Sequence, residues 1–211
     1  MTFRGAGRTA WEWLRSGLYA IYPLVPVWSA NREIRGETEQ RAGGDAIEAL
    51  REAGLGLDEP ARGELVTVFA DDVARLRRLE DKLSGQMATV ALLSGVASVV
   101  GGAAVSQRNV SALILVGGAF MWLVSAGVLV LEGSRAMRLY LPDPVAAVEG
   151  GDLELPRRLA VDRLQALSLN APRGWQLNNA LFAVQRSLAV AVVLLIASGI
   201  VTTAQQFAHG K

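Results

Sequence analysis

Two uncharged apolar runs, set almost end to end, constrain this chain more than any other feature. Met87–Val105 and Val110–Leu131 contain no Asp, Glu, Lys or Arg. Each is about 20 residues long, enough as a helix to cross the roughly 30 Å hydrocarbon core of a bilayer. Lipid offers no partner to a free backbone N–H or C=O, so such runs are expected to be helical. Only Ser106–Asn109 lie between them. Residues 87–131 are therefore predicted to form a transmembrane hairpin. A third apolar run, SLAVAVVLLIASGIVTTAQQF, places another span at 187–208.

The remaining residues divide into an amino-terminal element, 1–30, and two polar regions, 31–86 and 132–186. Within the first polar region, Asp45–Ala53 suits a short helix with Asp45 as N-cap, and Gly54, Gly56 and Pro60 mark a turn. Leu65, Phe69, Val73, Leu76, Leu79 and Leu83 then recur at steps of three and four, with charges between them. That spacing predicts an amphipathic helix over 61–83 running into the first span. Its stripe needs a cover, either another helix of the same chain, which is preferred, or the same helix of a second copy. LVTVF at 65–69 is β-prone but lies on this stripe, so it is kept helical. In the second polar region, Pro142 and Pro144 stop the helix of the second span. Residues 156–169 suit a helix with Pro156 near its start. Asn170–Gly174 (NAPRG) is expected to break that helix, which restarts near Trp175 and enters the third span.

Trp11–Trp28 combines a helical face with Trp11, Trp13, Tyr19, Tyr22 and Trp28. Aromatic rings with a polar handle suit the headgroup boundary. Glu12, Arg15, Pro23 and Pro26 spoil a full span, so an interfacial helix is preferred. A membrane-buried element and a signal peptide are the other two readings, the latter fitting poorly because its apolar core is interrupted.

Small residues recur in the spans at helical spacing. Ser94, Ser98, Gly101 and Gly102 lie in the first, Gly117 and Gly118 in the second, and Ser198 and Thr202 in the third. Such residues let helix backbones approach closely in lipid. They are the candidate helix-packing positions, serving either the hairpin itself or a homo-oligomer.

Loop arginines and lysines are retained in the cytoplasm. Arg75, Arg77, Arg78 and Lys82 precede the first span. Arg135, Arg138, Arg157, Arg158, Arg163, Arg173 and Arg186 lie between the second and third. The hairpin turn carries only Arg108 and the tail only Lys211. An inner-membrane protein with a cytoplasmic amino terminus and an external carboxy terminus satisfies this distribution. Arginine supplies 19 of the 21 basic residues, and Ala, Gly and Val abound, as expected from a GC-rich bacterial genome. The Asn109-Val110-Ser111 glycosylation triplet is accordingly taken as coincidental.

Several chemistries lack the residues they require. A formal charge of +1 gives nucleic-acid binding no electrostatic support. The chain has no cysteine, and its one histidine is His209, so neither a thiolate nucleophile, a Ser-His-Asp triad nor a His/Cys metal site is expected. No cofactor is expected either, and the spans hold none of the ionisable groups that coupled transporters use.

The arrangement of parts resembles a group of small bacterial membrane proteins. A charged Leu-rich helix ends in Glu80-Asp81-Lys82 before a hairpin. Arg138-Leu139-Tyr140 and Pro142-Asp143-Pro144 follow, and Asn170, Asn178 and Asn179 precede a last span. Over roughly residues 65–207 this is similar to the transmembrane effectors of Pycsar anti-phage defence and the related SLATT proteins. The tryptophan-rich amino-terminal element lies outside that pattern. The resemblance implies a response to a nucleotide signal, assembly and damage to the inner membrane, but no ligand site carries over residue by residue. The expected fold is an all-α membrane protein: three transmembrane helices, cytosolic helices and an amino-terminal interfacial helix. The expected function is a signal-gated, oligomerising membrane effector whose partners are the bilayer, other copies and the signal. The alternative is an anchor for a cytosolic helical module or partner protein.

Overall fold

The computed structural model describes residues 27, 29–34, 36, 43–135, 139–142 and 155–209. The tryptophan-rich stretch over 11–28 lies outside these apart from Val27. Among the described residues every regular element is helical: α1 (Gly44–Leu55), α2 (Glu59–Ser106), α3 (Val110–Arg135) and α4 (Leu155–His209), with further helical residues over 29–34. LVTVF lies inside α2, where its period-four stripe prevails over its β propensity. Three helices, α2, α3 and α4, contain stretches long and apolar enough to cross a membrane.

Local chemistry accounts for the ends. The N-cap of α1 is Gly43, not Asp45 as the sequence suggested; Gly43 is extended (φ −68°, ψ 152°) and its carbonyl accepts from Ile47 N at 3.1 Å. Asp45 falls inside the first turn, where a carboxylate still favours the positive end of the helix dipole. Gly56 closes α1, its N–H donating to Glu52 O. Asp58 caps α2 by accepting from Ala61 N at 3.0 Å. Pro60 sits in the first turn, where no intrahelical partner awaits an N–H. The α2–α3 turn is a Schellman closure: Asn109 N donates to Ala104 O at 2.9 Å and Arg108 N to Val105 O at 3.0 Å. Arg108 takes the left-handed position, φ 52°, that glycine usually fills.

The helix α4 departs from expectation. It runs 55 residues through Pro172, so Asn170–Gly174 does not break it. Proline deprives a helix of one hydrogen bond and crowds the preceding turn. Here packing offsets that loss: Pro172 and Gly174 are buried, and a Cβ on Gly174 would lie 3.2 Å from Leu76 Cδ2.

The chain forms two compact units, and α2 and α4 each contribute to both. One comprises residues 31–85 and 131–181. Leu65, Leu76 and Leu83 of the predicted stripe are buried there, and Phe69, Val73 and Leu79 are half-buried. The cover is the same chain: α4 meets Leu76 at Gly174, and α3 meets Leu83 at Gly133, where a Cβ would run into Leu83 Cδ2 and lie 3.2 Å from Ala180 Cβ. Helix α1 packs equally closely, since a Cβ on Gly54 would stand 2.9 Å from Val161 Cα. The described residues of the other unit are 27, 29–30, 86–130 and 182–209. Its core is rich in alanine, with Ala97, Ala104, Ala112, Ala119, Ala126 and Ala191 at most 1% exposed. Helices with such faces approach closely, and dispersion between backbones holds them together.

Candidate functional site

In the apolar unit, polar side chains join the helices at the hairpin turn. Asn109 is buried; its Oδ1 accepts from Ala112 N at 3.0 Å, capping α3, and its Nδ2 reaches Val201 O of α4 at 3.5 Å. Ser198 Oγ of α4 donates to Ala112 O at 3.1 Å, and Thr202 Oγ1 donates back to Ser198 O at 2.8 Å. Residues 109, 112, 198 and 201 thus tie the start of α3 to the last turns of α4. Sequence spacing offered Ser198 and Thr202 as contact positions. Asn109 was legible only as a turn residue.

The remaining small residues have different surroundings. Ser94 and Ser98 donate to Val90 O and Ser94 O of their own helix, at 2.8 and 2.9 Å. A Cβ on Gly101 would meet Val116 Cγ1 at 3.2 Å, and one on Gly118 would meet Leu194 Cδ1 at 3.4 Å. Gly95, Gly102 and Gly117 have open space around the equivalent position. The apolar window of α2 is 11% buried, against 33% in α3 and in α4. Among the described residues, helix α2 therefore carries an open face with Gly95, Ser98 and Gly102 on it.

The polar unit contains a second feature. Asn170, fully buried on α4, grips the backbone of Tyr140: Tyr140 N donates to Asn170 Oδ1 at 3.0 Å, and Asn170 Nδ2 donates to Tyr140 O at 3.1 Å. The amide thereby satisfies both peptide groups of a residue that follows α3 and belongs to no helix. Leu141 and Pro142 come next, and they form one wall of an open groove of about 610 Å³. Helix α2 supplies Val66, Phe69, Val73 and Arg77, and α4 supplies Leu159 and Arg163. Arg77 and Arg163 have no ion pair or hydrogen bond among the described residues.

Elsewhere in this unit, Arg75 Nη2 pairs with Asp72 Oδ1 at 2.7 Å, while Asp72 Oδ2 and Arg173 Nη1 are buried without a hydrogen-bond partner among the described residues. Burial lowers the Arg173 pKa from its ordinary value. Desolvation raises that of Asp162, against the opposing charge of Arg158. Among the described residues no group of three His, Cys, Asp or Glu could hold a metal ion. No family model, curated protein or solved structure matches the chain.

Proposed function

We propose that this chain is a multi-pass inner-membrane protein without enzymatic activity, which oligomerises on a cytosolic signal and disrupts the bilayer. The open face of the α2 span carries this reading. A span whose apolar window is 11% buried, with Gly95, Ser98 and Gly102 unobstructed, is suited to close packing against the same helix of another copy. Three apolar helices support insertion. The arginine distribution favours a cytoplasmic amino terminus, an external carboxy terminus, and polar regions 31–86 and 132–186 facing the cytoplasm. The nucleotide nature of the signal comes from the resemblance to Pycsar and SLATT proteins alone.

Dye release from liposomes carrying the purified chain, with and without a panel of cyclic nucleotides, tests the proposal. Release that depends on one nucleotide supports the effector and identifies its signal. Gly102→Leu should suppress that release while leaving insertion intact, because its side chain enters open space within one copy but blocks contact between copies. Absence of release under every condition refutes the effector and leaves the anchor reading.

A further inference from the structure

The groove between α2, α4 and residues 141–142 has a lining of narrow chemistry. Val66, Phe69, Val73, Leu141 and Leu159 make it apolar, and among the described residues the only polar side-chain atoms lining it are the guanidinium nitrogens of Arg77 and Arg163. Neither guanidinium is neutralised by an acid among the described residues. The lining side chains therefore offer positive charge and donors but no acceptor. A nucleobase or sugar bound here would meet no side-chain acceptor for its own donors among the described residues. A hydrocarbon ending in an anionic group would meet apolar side chains along its length and a guanidinium at its head. The size agrees: about 610 Å³ falls within the range of small-molecule sites. Val66 to Arg77 extends about 16 Å along α2, close to an extended alkyl chain of about a dozen carbons.

We infer that this groove binds a long-chain carboxylate, its alkyl chain along Phe69 and Val73 and its carboxylate on Arg77 or Arg163. The site is independent of whether the assembled protein perforates the bilayer. It is tested on the full chain in phosphatidylcholine nanodiscs with a photoactivatable diazirine derivative of dodecanoic acid, the labelled peptides being mapped by mass spectrometry. The expected result is labelling of peptides containing residues 66–77 and 159–163, competed by dodecanoate and not by a nucleoside monophosphate. Arg77→Gln with Arg163→Gln should weaken labelling roughly tenfold, as loss of a charged hydrogen bond would. The same variant should leave labelling by the uncharged dodecanol analogue unchanged. Neither arginine makes a hydrogen bond or ion pair among the described residues, so the variant should insert and fold normally, and Ala70→Trp, which fills the groove, gives a second route to lost labelling. Labelling confined to the apolar spans, equal labelling of the double-arginine variant, or competition by the nucleotide would each overturn the assignment.

Discussion

Asn170 is the residue whose loss should be most informative. Its amide makes two hydrogen bonds to the backbone of one residue, at 3.0 and 3.1 Å, from a fully buried position. A neutral hydrogen bond contributes about 0.5–1.5 kcal/mol net, so the pair contributes about 2 kcal/mol. Tyr140 itself is 40% exposed, so water can replace part of what is lost and keep the cost from rising further. Asn170→Leu preserves volume and removes both bonds. Residues 139–142 should then detach locally about 30-fold more often, since about 1.4 kcal/mol is a factor of ten. Hydrogen exchange reads this directly, because the Tyr140 N–H is itself the donor. In nanodisc-embedded protein, peptides covering Tyr140 should exchange about 30-fold faster in Asn170→Leu, whereas peptides from 110–130 should not change. Asn170→Ala should behave similarly, which separates bond loss from a clash by leucine. An unchanged Tyr140 exchange rate in both variants would refute the reasoning. Because Leu141 and Pro142 wall the groove, detachment should also lower photolabelling there.

Three further outcomes follow from the packing and charges. Gly54→Ala should destabilise the protein by about 2 kcal/mol in thermal unfolding, because a Cβ there presses on the Val161 backbone, whereas Gly44→Ala, in open space, should be neutral or slightly stabilising. Ser198→Ala removes a hydroxyl bond between helices and should cost about 0.6 kcal/mol, whereas Ser94→Ala, whose bond returns to its own helix, should cost less when both are measured by the same unfolding assay. Asp162 holds its proton to higher pH in the folded protein than in the unfolded chain, so its contribution to stability falls as pH rises from 3.8 through the raised folded-state value. Asp162→Asn should flatten that part of the stability–pH profile, and an unchanged slope would contradict the role given to its burial.

The helical class and the three apolar helices were legible because both depend on local composition. Uncharged runs of span length admit one backbone solution in lipid, and the period of Leu65, Leu76 and Leu83 marks a helix face whatever covers it. The covering partner and the continuity of α4 depended on tertiary contacts. Asn170–Gly174 carries the local signals of a break, yet the buried approach of Gly174 to Leu76 keeps the helix intact. Spacing alone marked Gly101 and Gly102 alike. Packing separates them, because adjacent residues on a helix point about 100° apart and only Gly101 faces Val116. The groove was illegible for a related reason. Arg77 and Arg163 are 86 positions apart and look like ordinary solvated charges until α2 and α4 bring them to one apolar surface. Sequence by itself determined which segments are helical and which are apolar enough to enter a membrane. Only the tertiary structure decided which faces are covered, which are open and which charges lack a partner, because those properties belong to pairs of helices.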